Sequence, residues 1–414
     1  MQAIVIGGGI AGLSSAFYLR SDGWDVTVLD QGTFADNCSY GNAGYVCPSH
    51  FIPLATPGIV KQGLRWMWNP KSPFYVEPRL SRTLISWGLQ FMRSATQQHV
   101  ERSAIPLRDF GLFSKACYEA WAAMPGFEFA YEKKGLMEYF QTSEKEAHSH
   151  HTAEKAHALG LPAEILSAAA VQALEPDTEL NIRGALYFPD DAHLYPLKLM
   201  QVLQRQLVQR GVQLLGNEKV TGFVQKANQV TIVKTKDGEH KTDLVVLAAG
   251  AWSRQLLAML QHRLLLVPGR GYSVTYENAP FALNIPTVLQ EGRVAITPMD
   301  GNKIRFGGTM EITSLRKPPR MKRVTGILEA VQRYLPAFTI PKPAPEQVWY
   351  GYRPCSADGL PYIGKIRANV IVATGHAMVG LSLGAGTGKL VAELANGQPT
   401  SIDLQPYDPY RFSS

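Results

Sequence analysis

The chain of 414 residues is short of the features that mark several whole classes of protein. It has four cysteines, Cys38, Cys47, Cys117 and Cys355, with no Cys-x-x-Cys pair and no metal-ligand spacing. That excludes a disulfide scaffold and predicts free, buried thiols in a reducing compartment. Long apolar runs are missing as well: nothing approaches the roughly eighteen uninterrupted apolar residues of a membrane-crossing helix. No basic leader or small-residue cleavage site precedes the first apolar run, so no secretory signal is expected. The location expected is cytoplasmic, with room for peripheral contact at the inner face of a membrane. Charge is sparse, at 18% of residues and a net +7. Without a Lys/Arg run or an aromatic-and-basic signature this speaks against nucleic acid, and it suits an anionic substrate or membrane surface. Hydrophobic residues at 45% are ordinary for a globular enzyme, and the length suggests two or three domains.

What is present begins at the first residues. Ala3 to Ile6 is a short apolar strand, Gly7, Gly9 and Gly12 fall in a G-x-G-x-x-G frame, and Ile10 to Leu19 continues at helical spacing. Asp25 to Leu29 is a second strand, closed by Asp30. Gly7 permits the tight turn, Gly9 leaves room for a pyrophosphate, and Gly12 lets the helix pack on the strand. The phosphates then meet the positive end of the helix. Asp30, about twenty residues on, can accept hydrogen bonds from a ribose diol and disfavours a 2′-phosphate. A dinucleotide with an unphosphorylated ribose is expected, NAD and FAD both remaining open on these residues.

Further along, Arg82 to Met124 reads as helical, Phe127–Tyr131 and Gly135–Phe140 as two strands, and Ser143 to Leu174 as helical and charged. Leu197 to Arg210 is an amphipathic helix ended by Gly211, followed by strands at Val212–Leu215, Gly222–Val224 and Gln229–Thr235. Leu244 to Ala248 is a continuous apolar strand, as a buried parallel strand should be. It runs into Ala249, Gly250, Ala251 and Trp252, small residues that allow a nucleotide to approach. Arg293–Thr297 and Lys303–Gly307 form a hairpin across Asp300-Gly301, and Val370–Thr374 is a last buried strand leading through glycines into a helix that ends near Asn396-Gly397. Gly384 to Lys389 imitates a phosphate-binding loop, but Leu383 and Leu390 stand where glycine and Ser/Thr are needed, which rejects ATP.

These motifs, with Ser39-Tyr40-Gly41-Asn42-Ala43-Gly44, Pro268-Gly269-Arg270-Gly271-Tyr272, Arg353-Pro354 through Ile363-Gly364, and Gly375-His376 through Leu381-Ser382, resemble the FAD-dependent D-amino-acid oxidase family over nearly the whole length. The likeness is greatest to its bacterial D-amino-acid dehydrogenase branch. The fold class implied is α/β plus α+β: a Rossmann-type FAD-binding domain, 1–80 with 195–262 and 350–414, and a mixed-sheet substrate-binding domain, 81–194 with 263–349. FAD is favoured over NAD, because an NAD domain does not predict the distant segment at Arg353–Ser382. The resemblance implies cofactor contacts at Gly7, Gly9, Ile10, Ala11, Gly12, Asp30 and Gln31; at Ser39, Asn42, Ala43 and Gly44, where backbone N–H groups and a hydroxyl meet a bending cofactor; at Val220, Ala249, Gly250 and Trp252; and at Gly375, His376, Val379, Gly380, Leu381 and Ser382, where a helix start can stabilise the reduced flavin.

The activity implied is oxidative deamination of a D-amino acid by hydride transfer to flavin N5, with electrons passed to a quinone, a dye or oxygen. A cyclic secondary amine such as D-proline or 4-hydroxy-D-proline, and glycine or sarcosine, are the alternative substrates; an NAD-dependent dehydrogenase is the competing class. Orientation is the main task of the side chains in such chemistry. Arg353 is the expected grip on the substrate carboxylate, since a guanidinium fork meets it in bidentate fashion. Tyr272 is expected to assist as phenol or lid, His376 to lie at the flavin edge or substrate, and His50, after Cys47-Pro48-Ser49, to approach the flavin face; His193 is a weaker candidate. His148, His150, His151 and His157 sit in a Glu/Lys-rich helical stretch, so no metal is expected. Leu64–Trp68 and Trp87–Arg93 combine aromatics with basic ends, a composition for helix packing or for an interface.

Overall fold

A computed structural model describes residues 1–67 and 69–412. Trp68, part of the first aromatic-and-basic stretch, lies outside the described residues. Two large sheets organise the chain. The first is six-stranded in the order Tyr362–Arg367, Val370–Thr374, Leu244–Leu247, Gln2–Ile6, Asp25–Leu29, Gln213–Leu215. Its pairings are parallel except for the Tyr362–Arg367 edge. Chain order reverses between Gln2–Ile6 and Leu244–Leu247, and ligands of open α/β sheets bind at the carboxyl ends of such a switch point. Ala3–Ile6 and Leu244–Leu247 are apolar because both faces are covered, one by the helices Ile10–Ser21 and Gly384–Ala395 and the other by a small three-stranded sheet, Val220–Lys226, Gln229–Thr235 and Glu239–Lys241, with Leu256 and Leu257.

The second sheet has nine strands, in the order Val348–Ser356, Leu266–Tyr276, Ile304–Ile312, Val294–Pro298, Thr287–Leu289, Leu136–Phe140, Gly184–Phe188, Glu164–Ser167, with Phe74–Val76 beside Ile304–Ile312. It mixes parallel and antiparallel pairs. Val324, Ile327 and Val331 of the helix Met321–Tyr334 pack onto one of its faces.

Several expected elements differ. Phe127–Tyr131 forms no strand: Phe127 and Phe129 are buried against Phe17, Trp121 and Tyr118, so side-chain packing decided the matter over strand propensity. The stretch from Ser143 to Leu174 is broken, with helix at Ser143–Ala158, strand at Glu164–Ser167 and helix at Ala168–Leu174. The sequence Leu159-Gly160-Leu161-Pro162 ends the first helix, Gly160 taking φ +74°. Residues 97–122, expected with the second domain, form a long helix whose Cys117, Tyr118 and Trp121 join the core of Leu13 and Phe17 under the first sheet. Phe74–Val76, expected with the first domain, pairs into the second sheet.

The glycines that imitate a phosphate loop serve packing. A Cβ on Gly384 would come within 2.4 Å of Ile10, and one on Gly388 within 2.3 Å of Ser14. The final helix, Gly384–Ala395, therefore lies almost backbone to backbone on the helix Ile10–Ser21 that follows the glycine turn.

Candidate active site

Between the two sheets lies one cavity of about 700 Å³, running from the first glycine turn to the second sheet. At one end, Gly7 takes φ +116°, and a Cβ there would meet the Ala248 carbonyl at 2.5 Å. Gly12 is closed more tightly still, its missing Cβ lying 1.8 Å from the Gly7 oxygen. Gly9 faces open space beside Ser39 Oγ, and the Ile10 N–H donates to that hydroxyl at 3.0 Å. Asp30 accepts from the Gly8 N–H at 2.6 Å and from the Gly32 N–H at 2.7 Å, one bond to each carboxylate oxygen. It thus holds the glycine turn in shape and keeps a lone pair on each oxygen for a diol.

Of the residues expected at the cofactor, Gly7, Gly9, Ile10, Ala11, Asp30, Gln31, Ser39, Asn42, Ala43, Val220, Ala249, Gly250, Trp252, His376, Val379, Gly380, Leu381 and Ser382 line this cavity. Gly12, Gly44 and Gly375 do not. Gly44 and Gly375 take φ +85° and +87° where a Cβ would strike the Leu194 carbonyl and the Tyr362 ring, so they form turns behind the wall. The Ser39–Gly44 loop is clamped from the second sheet by Arg305, whose Nη1 donates to the carbonyls of Tyr40 and Asn42 at 2.8 and 2.6 Å.

Val348–Ser356 alternates its side chains, and Trp349, Gly351 and Arg353 share one face by the period of two. Trp349 lies across Gly41 and Gly351, where a Cβ would enter its ring at 2.0 and 2.2 Å. Arg353 lies across Gly271, its Nη1 2.0 Å from where a Cβ would be, and donates to the Thr309 carbonyl at 2.9 Å. No carboxylate pairs with it among the described residues. Burial without an anion pushes its pKa down, the signature of a cation that lacks a partner.

Tyr272 borders the cavity, but its hydroxyl is not placed as expected. Next to Gly271 on an alternating strand, it turns its side chain into the core of the second sheet, 1% exposed. Its hydroxyl donates to Glu311 at 2.7 Å and accepts the Arg320 N–H at 2.8 Å, which leaves no proton for a substrate carboxylate. His376 lines the cavity, and burial pushes its pKa down to about 4. Thr387 donates its hydroxyl proton to the Leu383 carbonyl at 2.7 Å, so His376 Nε2, 2.9 Å from that hydroxyl oxygen, is assigned as the protonated nitrogen of a neutral ring.

His50 also lines the cavity, likewise held near 4 by burial, with its ring 6.5 Å from that of Tyr45. Potential ligand atoms of Cys47, His50 and Asp191 lie within 4.8 Å of one another, a meeting that the spacing of the chain does not announce. Ser49 occupies the Asp191 carboxyl with its hydroxyl at 2.5 Å and its N–H at 3.3 Å. Desolvation raises Asp191 to about 7, and desolvation together with Asp191 raises Glu138 to about 7. His193 is buried behind this group and pairs by backbone with Tyr45. His148, His150, His151 and His157 lie on the helix Ser143–Ala158, where His157 meets the Ala163 carbonyl and His151 meets Glu154.

Trp349, Arg305 and Cys38, whose sulfur accepts the Tyr352 N–H at 3.1 Å, were not expected at the site. Only Trp349 carries a signal, the Trp-x-Gly-x-Arg alternation that leads to Arg353.

A cavity of this size bordered by a bare glycine turn, a diol acceptor and a helix start fits a dinucleotide, and its continuation to an unpaired arginine fits a flavin better than a nicotinamide carrier. Comparison with known proteins agrees. The FAD dependent oxidoreductase family model matches residues 2–394. A D-amino acid dehydrogenase of Neisseria meningitidis is 31% identical over 97% of each chain, and one of Vibrio vulnificus is 29% identical over the whole of both. Among solved structures, glycine oxidase from Geobacillus kaustophilus superposes with a TM-score of 0.76 at 23% identity, covering 99% of this chain and 98% of that one. L-proline dehydrogenase from P. horikoshii gives 0.71 at 20%, covering 99% and 97%. The chain belongs to the FAD dependent oxidoreductase family.

Proposed function

We propose that the protein oxidises D-amino acids at the α-carbon, releasing an imino acid and passing the electrons to a quinone. The observation that carries this is Arg353, a partly buried guanidinium with one carbonyl partner at the substrate end of the cavity. A carboxylate is the complement of such a group, and two parallel hydrogen bonds to it fix which face of the α-carbon is presented. The D configuration and the amino acid class follow the dehydrogenases to which the sequence is similar. FAD, when bound, supplies the hydride acceptor. Gly7, Gly9 and the helix start would hold its pyrophosphate, Asp30 its ribose, and the Ser39–Ala43 loop its bend toward the second sheet. Gly307, Gly308 and Ala295 leave a shallow floor for the substrate, and neutral His376 adds no charge to compete with Arg353 for the carboxylate. Anaerobic mixing of the yellow protein with D- and L-amino acids, including D-proline, tests the reading. Bleaching of the visible bands by D-amino acids is expected, and an unchanged spectrum with every D-amino acid would overturn it.

No described helix is long and apolar enough to cross a membrane. The helix Arg82–Ser94 nevertheless has two characters. Trp87 and Phe91 stack inward at 4.9 Å, and Phe91 lines the cavity. Ile85, Leu89 and Met92 form an exposed stripe with Leu80 beside it, flanked by Arg79, Arg82 and Arg93. We propose this stripe as the contact with an anionic membrane carrying the quinone. Co-sedimentation with vesicles rich in anionic phospholipid is expected, and lost in Leu89→Glu; failure of the unaltered protein to sediment at low salt refutes it.

A further inference from the structure

We infer that His50, backed by Cys47 and Asp191, forms a subsite for an uncharged hydroxyl on the side chain of the substrate; this rests on the D-amino acid reading above. The second sheet supplies the map. Trp349, Ser273, Gly307, Ala295, Val288 and Glu138 stand opposite one another across neighbouring strands and therefore share a face. Trp349, Gly307, Ala295 and Val288 line the cavity, so this is its floor. Arg353 reaches the Thr309 carbonyl two residues beyond Gly307, which puts the carboxylate grip over the strand Ile304–Ile312.

The opposite wall stands elsewhere. Tyr45 donates its hydroxyl to the Thr287 carbonyl at 2.7 Å and also reaches that of Ile296 at 3.2 Å, and its ring lies beside His50. That wall is over the strands Val294–Pro298 and Thr287–Leu289, one to two strand spacings across from the grip and, since Ile296 pairs with Phe306, three residues along from Thr309, roughly 11–14 Å in all. His50 and Arg353 line the same cavity from these two places, and a hydroxylated amino acid with a hydrogen bond at each end bridges most of the gap, the two side chains reaching in from either end.

The chemistry of the wall selects the group that it takes. His50 has no side-chain hydrogen bond among the described residues, although it faces the cavity and its neighbours are polar. A neutral imidazole offers one donor and one acceptor, the complement of a hydroxyl, which also offers both. The carboxyl of Asp191 stands beside it, near enough to the floor residue Glu138 to raise that acid, and the cations that bear on the two, Lys115 and Lys145, act only at longer range. A side-chain carboxylate would meet acids there with no cation in contact. Two other cations line the cavity: Lys219, beside Val220, and the exposed Arg293, its Nη2 3.2 Å from Gln62 and its guanidinium 4.9 Å over Trp66. An apolar side chain would leave the imidazole desolvated without a partner.

The test uses the flavin-loaded protein and matched pairs: D-serine against D-alanine, and 4-hydroxy-D-proline against D-proline, read as the rate of anaerobic bleaching. A second readout needs no turnover: thermal stabilisation by 3-hydroxybutyrate against butyrate. The hydroxylated member is expected to be favoured about tenfold or more in at least one bleaching pair, and to stabilise more in the carboxylate pair. His50→Phe should bring these ratios toward one, and His50→Gln, which keeps a donor and an acceptor, should restore part of them. Ratios near one in the unaltered protein, ratios that survive His50→Phe, or a preference for D-glutamate over all of these overturn the subsite. If no D-amino acid bleaches the flavin, the substrate reading falls by itself, and the carboxylate pair still decides whether the hydroxyl is bound.

Discussion

Alanine in place of Arg353 is expected to lower kcat/KM by on the order of 10² to 10³, mostly through KM, with the amount of bound flavin unchanged. Removing one member of a desolvated, hydrogen-bonded charge pair costs about 2–5 kcal/mol, and here the other member is the substrate, so the loss falls on binding and orientation. Flavin retention is the discriminating measurement. The hydrogen bond of the Arg353 guanidinium is to the Thr309 carbonyl, with none to the glycine turn, Asp30 or the Ser39–Gly44 loop among the described residues, so equal loss of flavin would make it a structural residue. Lysine should restore little, because an ammonium cannot give the parallel pair of bonds. Gly271→Ala is the companion variant. Its Cβ would enter the guanidinium, the far end of a flexible side chain, so the fold should survive while Arg353 is pushed from its place. A fall in kcat/KM in the same direction, smaller than that of Arg353→Ala, is expected.

The nucleotide end of the site was legible because its chemistry is backbone chemistry. Gly7, Gly9, Gly12 and Asp30 are contiguous with the strands that position them, and the structure finds each one closing or opening the space that its residue type demands. Arg353 was legible through its motif. Tyr272 borders the cavity, but the direction of its phenol was not legible, because a motif names neighbours without saying which face of the strand each occupies: Gly271 lies under the guanidinium, so the adjacent phenol must point the other way. The meeting of Cys47, His50, Asp191 and Glu138 was out of reach, since it depends on pairing of Tyr45–Val46 with Ala192–His193 across about 150 residues. Phe127–Tyr131 failed for a related reason. Its alternation is that of a strand, but the partner it found was the aromatic cluster of Phe17, Tyr118 and Trp121 rather than a sheet edge.

Glutamine in place of Glu311 is expected to destabilise the protein by about 3–5 kcal/mol, a fall in the unfolding midpoint on the order of 3–6 °C. Glu311 is 1% exposed, and so is Arg323, while Arg270 is at 0%. Its Oε2 accepts from Arg270 Nε at 2.9 Å, Arg270 Nη2 at 2.8 Å and the Tyr272 hydroxyl, and its Oε1 lies 3.5 Å from Arg323 Nε and 3.6 Å from Arg320 Nε. One buried carboxylate therefore serves two buried cations and part of a third. An amide keeps the shape and removes the charge, which leaves Arg270 and Arg323 in a low-dielectric interior without an anion. The damage should stay local to stability: the network lies on the far side of the strand from Arg353, so the variant, at a temperature where it is folded, should keep a KM close to that of the unaltered protein. Arg270→Met combined with Glu311→Leu should recover part of the lost stability, because it removes a cation along with the anion. A midpoint for Glu311→Gln within a degree of the original would show that the cations are neutralised by something other than this carboxylate.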